Sequence, residues 1–199
     1  MKIQTMMAAA TLAMLAAGSA SAAADPVYSP AGTINPTNYT FEAVATGDVY
    51  AYFLSESASY TETLGMAANN STTALGATGL SNQTSHRGNW IDLGHVTAGE
   101  IVTFFIHVSN TGLTFSSETS LNADGTNHVY STSFPVAGAL PAGTFISFED
   151  LDTKVSDHDY NDTAYDITNV RAVPEPASIG LMLAGLGLMG AVARRRRGN

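Results

Sequence analysis

Short runs of β-branched and aromatic residues, separated by Gly, Asn, Asp, Ser and Thr, fill the middle of the chain. This pattern is typical of antiparallel sheets, and helix signals are few. Alternation is clearest at Thr144–Glu149, where every second residue falls on one face. The apolar run Ile101–Ile106 predicts a central strand buried on both faces. Nine strands are predicted: Tyr39–Ala45, Asp48–Leu54, Tyr60–Leu64, Trp90–Leu93, Glu100–Val108, Thr114–Ser116, His128–Phe134, Thr144–Glu149 and Thr163–Val170.

These strands predict an all-β fold, an antiparallel β-sandwich of jelly-roll-like type whose two layers bury the core. Thr46-Gly47 and Asp124-Gly125 mark tight turns, and the second pair is the stronger hairpin signal. Three segments carry no strand signal. They are a Pro-containing leader at Ala23–Asn38, a loop at Asn69–Arg87 that is either functional or disordered, and a linker at Arg171–Pro176.

The N-terminus has the pattern of a secretory signal peptide. Met1-Lys2 supplies a positive start, Met6–Ala17 an apolar run, and Ala20-Ser21-Ala22 a cleavage site of small residues. We expect residues 1–22 to be removed by cleavage after Ala22, with Ala24 as the alternative.

The C-terminus has the layout of a membrane-spanning segment. The turn-forming Val173-Pro174-Glu175-Pro176 precedes the uncharged run Ala177–Ala193, which is followed by Arg194–Arg197. At a rise of about 1.5 Å per residue this run is about 26 Å long, the lower limit for crossing a hydrocarbon core. We therefore predict a single transmembrane helix at 177–193, with the basic tail 194–197 left inside.

Residues 173–199 also resemble the PEP-CTERM sorting signal of bacteria that make extracellular polysaccharide. The resemblance rests on three parts in order, a Pro-Glu-Pro motif, an apolar helix and a terminal basic cluster. It implies that a membrane enzyme called exosortase recognises the signal and cleaves near the motif, so that the helix is a transient anchor. Pro174, Glu175 and Pro176 would then be recognition residues. The alternative is an ordinary membrane anchor preceded by a Pro-rich stop.

Between the two signals, residues 23–172 form one predicted domain. Residues 23–173 contain sixteen acidic residues against only Arg87, Lys154 and Arg171, a net charge of −13 with histidine neutral. Such a body repels phosphates, which excludes DNA and RNA as partners. Because the chain has no cysteine, disulfides and thiol chemistry are also excluded.

The candidate chemistry lies at Glu149–Asp166, where seven carboxylates occupy eighteen positions. A hard cation with oxygen ligands is the natural partner of so many negative charges, and calcium is the predicted cofactor. Asp157-x-Asp159-x-Asn161 resembles the first half of a calcium loop, but Asp162 stands where an EF-hand requires Gly. The alternative is an acidic turn held by Asx hydrogen bonds. The predicted metal ligands are Glu149, Asp150, Asp157, Asp159, Asn161 and Asp162.

The same segment resembles a family of secreted bacterial β-domains that carries two short acidic motifs. The matching residues are Phe148-Glu149-Asp150-Leu151 and Asp157-His158-Asp159-Tyr160-Asn161-Asp162. The resemblance implies a cell-surface setting beside the sorting signal and a calcium site in the loop 149–166. It implies no catalytic activity.

Enzyme classes find little support. A glycosidase needs one pair of carboxylates across a sugar cleft, and among so many clustered acids no pair is singled out. For a hydrolytic triad, Ser85-His86 and Ser156 with His158 show proximity in sequence only. We therefore expect no enzymatic activity.

The predicted function is that of an exported, calcium-stabilised component of the cell surface or of the extracellular polysaccharide matrix. The main alternative is a calcium-dependent carbohydrate-binding module, because exposed aromatic rings stack on sugars. A secreted hydrolase acting on glycosides is a further alternative. The carbohydrate-binding alternative requires several aromatic side chains on one exposed face. The candidates are Trp90, Tyr50, Tyr52, Tyr60, Tyr130 and Tyr160.

Overall fold

The structure, a computed structural model, describes residues 24–68 and 79–175 of the chain. These residues form ten β-strands and one short 3-10 helix, Thr119–Leu121. The predicted all-β fold is confirmed. The strands are β1 (Tyr39–Ala43), β2 (Gly47–Glu56), β3 (Glu62–Ala68), β4 (Trp90–Val96), β5 (Ile101–Val108), β6 (Leu113–Ser116), β7 (Val129–Phe134), β8 (Gly143–Phe148), β9 (Thr163–Ile167) and β10 (Val170–Pro174).

The strands form two antiparallel sheets of five strands each within the described residues. In the β5 sheet the order is β10-β1-β5-β3, and β6 also pairs with β5. In the β9 sheet the order is β4-β2-β9-β8-β7. The first two strands pair with the last two, β1 with β10 and β2 with β9. The end of the described chain thus returns to complete both sheets.

The main core lies between the sheets and is rich in aromatic residues. On β5, every second side chain from Val102 to Val108 is buried, and Phe104 meets Phe41 of β1 edge to face at 5.4 Å. On the other face of β5 only Thr103 is fully buried, while His107 is exposed beside the Thr114 hydroxyl at 3.2 Å. The prediction that β5 is buried on both faces therefore holds for only part of the strand.

Strand β8 is buried on both of its faces. Ile146 and Phe148 point into the main core. Phe145 points outward into a second apolar cluster, where the chain after β7 folds back over the β9 sheet. Because β8 is covered on both sides, its alternating sequence pattern does not correspond to a solvent-exposed face. The second cluster contains Leu54, Phe134, Ala137, Leu140, Phe145 and Ala164.

The predicted strand Thr163–Val170 is two strands. The chain turns at Asn169, whose φ is 60°, and crosses from the β9 sheet to the β5 sheet. The predicted linker at Arg171–Pro176 is wrong for its first four residues, because Val170–Pro174 pair with β1 as β10. Arg171 secures this strand through two hydrogen bonds of 2.9 Å to the Glu42 carboxylate.

The predicted hairpin at Asp124-Gly125 is also wrong. The turn is present, with Gly125 at a φ of 67°, but it lies between β6 of one sheet and β7 of the other. Local residue types determine that the chain turns here. They do not determine which strands pair on either side of the turn.

Two segments that were predicted as loops pack against the sandwich. In the leader, Tyr28 is buried against the rings of Tyr130 and Tyr160. In the predicted loop Asn69–Arg87, the described part places Leu80 in the core. Its remaining residues, 69–78, lie outside the described residues, as do the predicted signal peptide 1–22 and the predicted transmembrane helix 177–193. Along 24–68 and 79–175, no helix has the length and hydropathy needed to cross a membrane.

Candidate metal centre

Four strand ends meet at one end of the sandwich. Strand β2 ends at Glu56, which pairs with Thr163 at the start of β9. Phe148, the last residue of β8, pairs with the same Thr163. Strand β3 of the opposite sheet begins at Glu62, a buried carboxyl whose pKa is raised by burial and by the neighbouring Asp150. The acidic loop 149–162 joins β8 to β9 here, so strand pairing alone concentrates carboxylates at this end.

Glu149, Asp157 and Asp159 form an outer carboxylate group. Each places one oxygen within 4.8 Å of the others. Oxygens bound to one calcium ion at 2.3–2.6 Å lie no more than about 5 Å apart, so this spacing fits a shared cation. The group extends from the interior to the surface, since Glu149 is 2 % exposed, Asp159 is half-buried and Asp157 is exposed.

Glu149 is held in place by its own loop. Its Oε2 accepts a hydrogen bond from the Ser156 hydroxyl, and its Oε1 accepts one from the backbone N–H of Tyr160 at 2.5 Å. Ser156 also contacts His158 Nδ1 at 3.1 Å, so the expectation that these two residues are near only in sequence is wrong. The arrangement still differs from a catalytic triad, because the serine lies between the acid and the histidine.

The loop bends sharply where Asp157 and Asp159 alternate with His158 and Tyr160. Both intervening residues have a φ of 54°, in the left-handed region that costs side chains other than Gly about 1 kcal/mol or more. Hydrogen bonds of the buried Tyr160 hydroxyl offset this cost. The hydroxyl accepts one from the Asn35 backbone N–H at 2.8 Å. The same hydroxyl donates to the Asn127 carbonyl at 3.0 Å.

Asn161, a predicted ligand, supports Asp159. It is exposed, and both its backbone N–H and its side-chain amide donate to the Asp159 carboxylate. Burial raises the pKa of Asp159, and the nearby negative charges of Asp157 and Glu149 raise it further. A bound cation would relieve this repulsion.

The other two predicted ligands, Asp150 and Asp162, lie outside the 4.8 Å spacing of the outer group. Burial and the nearby charges of Asp150, Glu149 and Asp159 raise the pKa of Asp162 to about 8. Asp162 accepts a hydrogen bond from the Asp150 backbone N–H at 2.8 Å. The Asp150 side chain is buried, and its Oδ2 has no hydrogen-bond partner among the described residues. The structure therefore brings three of the six predicted ligands together and leaves Asp150 and Asp162 outside that group.

Glu62, which also lies at this end of the sandwich, was missed in the sequence. It is fully buried, burial raises its pKa to about 10, and the neighbouring carboxyl of Asp150 adds to the shift. Asp162 contributes further negative charge. A signal was present in the sequence, because Glu62 shares the inward face of β3 with Leu64 and Met66.

The six candidate aromatics do not form one face. Tyr160 is buried in the acidic loop, Tyr130 lies beneath Tyr28, and Tyr60 packs against the main core. The other three share the outer face of β2 and β4. Trp90 is 59 % exposed, lies opposite Tyr52 in the strand register, and meets Tyr50 edge to face at 5.7 Å.

The fold and its acidic end define a two-sheet antiparallel β-domain with a carboxylate-rich loop at one end. The chain belongs to the family described as Domain of unknown function (DUF4114), whose model matches residues 45–169. The match extends from just before β2 to just after β9 and includes the whole acidic loop.

A second family model, the PEP-CTERM protein-sorting motif, matches residues 172–197. The predicted sorting signal is therefore confirmed, and it implies an exported protein that exosortase processes. No curated protein and no solved structure matches the chain.

Proposed function

We propose that the protein is a non-enzymatic component of the cell surface or extracellular polysaccharide matrix, and that calcium stabilises its β-sandwich. The observation that carries the proposal is the convergence of Glu149, Asp157 and Asp159 to within 4.8 Å. The sorting motif supports the destination, since it belongs to an exported protein. Calcium would act here as a structural ion that joins Glu149, at the start of the acidic loop, to Asp157 and Asp159 in its second half.

The donor set favours calcium over a transition metal. The three side chains offer only carboxylate oxygens, up to six if each binds through both, and water supplies the rest of a shell of six to eight. Zinc prefers nitrogen and sulfur ligands. The chain has no cysteine, and the Nδ1 atom of the nearby His158 contacts Ser156.

The same contacts favour a structural role over catalysis. A glycosidase requires a carboxylic acid that faces a sugar and can transfer a proton. Glu149 is buried, and both of its oxygens accept hydrogen bonds from its own loop. The Asp159 carboxylate likewise accepts two hydrogen bonds from Asn161 of the same loop.

Calcium titration of the purified full-length protein tests the proposal. A ligand of the native state at a hundredfold excess over its dissociation constant stabilises by about 2.7 kcal/mol. For a domain of this size, that raises the melting midpoint by about 5–10 °C. Asp159→Asn should lose most of this increase. Asp92→Asn, an exposed substitution on β4, should retain it. A wild-type midpoint unchanged at millimolar calcium contradicts the proposal.

A second candidate function, glycan binding, has its own support in the face formed by Trp90, Tyr50 and Tyr52. Exposed rings of this kind provide apolar surfaces against which sugar rings pack. The net charge of the body and the nearby Asp48 and Asp92 favour neutral over anionic polysaccharides.

Fluorescence tests this second candidate directly, because Trp90 is the only tryptophan in the chain. Soluble neutral glucans should shift the Trp90 emission of the full-length protein, and Tyr52→Ala should weaken the response. Tyr60→Ala, at a position outside this face, should not. If none of the glucans changes the emission, the glycan-binding candidate is rejected, whatever the result of the calcium titration.

A further inference from the structure

Trp90 lies between two clefts at the start of β4. Its side chain is 59 % exposed, and both clefts are lined by Trp90 and Gly88. The first cleft has a volume of about 440 Å³ and the second a volume of about 480 Å³. Pockets that hold small ligands measure about 300–1,000 Å³. An exposed ring with such space on both sides suits a ligand that is longer than the ring itself.

The first cleft is mainly apolar. It is bordered by the rings of Trp90 and Tyr52 and by the turn 137–140, which follows β7. Backbone hydrogen bonds of 3.1 and 3.2 Å join the first and last residues of this turn. Arg87 is the one charged side chain in the lining. The first cleft thus presents ring and aliphatic surfaces together with guanidinium N–H donors.

The second cleft is polar. Its lining includes Thr84, Ser85 and Asn89, of which Thr84 and Asn89 are exposed and Ser85 is half-buried. Their hydroxyl and amide groups can both donate and accept hydrogen bonds. A ligand that occupies both clefts therefore needs apolar surface for the first and several hydrogen-bonding groups for the second.

The backbone between the two clefts is fixed to β2. Gly88 N–H donates to the Phe53 carbonyl at 2.9 Å, and Phe53 N–H donates to the Asn89 carbonyl at 2.8 Å. Gly88 has a φ of 88°, in the left-handed region that favours glycine. Because these bonds hold the chain on both sides of Trp90, the site is formed before a ligand binds, which lowers the entropic cost of binding.

The charges beside the clefts favour a neutral ligand. The Arg87 guanidinium lies 2.8 Å from the Asp25 carboxylate, so its positive charge is balanced. Asp92, two residues after Trp90 on β4, is exposed and adds negative charge on the same face of the strand. The body as a whole has a net charge of −13, so an anionic polymer would be repelled.

We propose that a linear neutral polysaccharide lies across Trp90, with sugar units in both clefts. This inference rests on the glycan-binding candidate and deepens it, because it specifies a chain bound along its length instead of a single sugar. The apolar faces of sugar rings pack on Trp90 and Tyr52, and their hydroxyls pair with Arg87 and with the polar side chains of the second cleft. A peptide with apolar side chains would leave those polar groups unpaired, which is costly.

Titration of the full-length protein with short and long glucans, followed by Trp90 emission, tests the inference. The probes are cellobiose, cellohexaose, maltose and maltohexaose. We expect at least one hexamer to bind about tenfold more tightly than its dimer, since only the hexamer reaches both clefts. A tenfold difference corresponds to about 1.4 kcal/mol, which one or two additional hydrogen bonds supply.

Two substitutions obstruct one cleft each. Ala139→Gln places a longer side chain at an exposed position of the first cleft, and Thr84→Gln does the same in the second. Each should weaken binding of the hexamer by about tenfold and affect the dimer much less, because a dimer still fits the open cleft. Ala98→Gln is the matched control. It lies at an exposed position beyond the far end of β4 and should bind the hexamer as the wild type does.

The outcomes separate this inference from the candidate function on which it rests. If no glucan changes the emission, both are rejected. If hexamer and dimer bind equally well, or if both obstructed variants bind the hexamer as the wild type does, glycan binding stands and the two-cleft site is rejected. Weaker hexamer binding in only one of the two variants confines the glycan to a single cleft and also rejects the inference.

Discussion

Asp124 Oδ2 lies 2.9 Å from Nε2 of His128, and both side chains are buried in the connection between the two sheets. The same oxygen accepts a hydrogen bond from the Thr153 backbone N–H at 3.0 Å. The other ring nitrogen of His128 lies 3.2 Å from the Glu149 carbonyl, and its ring stacks on Phe115 at 4.2 Å. This pair therefore joins the acidic loop to the core at two points.

Asp124→Ala should destabilise the fold by about 2–3 kcal/mol. The substitution leaves the Thr153 N–H and the His128 ring without their acceptor, and unsatisfied buried donors cost about 1–3 kcal/mol. Chemical denaturation of the purified protein measures the loss. Asp92→Ala on β4 is the control and should cost less than about 1 kcal/mol. Equal losses in the two variants would show that Asp124 has no special role.

The pH dependence of stability should show the Asp124 contribution at low pH. Burial alone would raise its pKa, but hydrogen bonds from the backbone of Thr153 and Thr126 and from His128 lower it below the ordinary value of 3.8. A lowered native pKa gives stability that is complete above about pH 4 and is lost as the pH falls further. Asp124→Asn should lack that component when unfolding free energies are compared from pH 5 to pH 2.

Asp166 should have the opposite effect. Its carboxylate is buried without a partner among the described residues, and burial raises its pKa to about 7. Because the native state retains the proton more strongly than the unfolded chain, stability should fall as the pH rises from about 4 to about 7. Asp166→Asn should remove this fall and stabilise the protein at pH 8 by about 1–3 kcal/mol. A variant less stable than the wild type at pH 8 would contradict this account.

Tyr160→Phe should loosen both the acidic loop and the leader. It removes the hydroxyl that bonds Asn35 and Asn127, at an expected cost of about 1–2 kcal/mol. Limited proteolysis should then cut faster within residues 24–38. Tyr130→Phe is the matched control, because its ring also contacts Tyr28 and is retained. Similar cleavage rates in the two variants would indicate that the ring contacts alone hold the leader.

The strands were predictable to the extent that local patterns determined them. Runs such as Ile101–Val108 and Thr144–Phe148 carry enough apolar and β-branched residues to be recognised as strands. Strand β10 was missed because Pro174 and the charged Arg171 resemble a linker, and its pairing depends on β1, more than a hundred residues earlier. Likewise, the Asp124 turn could be predicted but its crossing between sheets could not.

The candidate site was likewise predictable only where its residues are close together in the sequence. Glu149, Asp157 and Asp159 lie within eleven positions of one another, so composition alone pointed to them. Glu62 is nearly ninety residues away from Asp150 and joins it only because β3 packs opposite the ends of β8 and β9. Its one local signal, a carboxylate on the apolar face of a strand, is easily missed in a chain with seventeen acidic residues.

Strand β10 has a consequence for processing of the sorting signal. Pro174 pairs with Tyr39, and the Glu175 N–H donates to the Asn38 carbonyl at 3.0 Å. The first two residues of the Pro-Glu-Pro motif are thus paired with β1 and the residue before it, so the motif begins within the sheet itself. An enzyme that binds these residues must first separate β10 from β1. Binding of the enzyme therefore competes with the pairing of these two strands. Substitutions in β1 should therefore change the rate of sorting as well as stability.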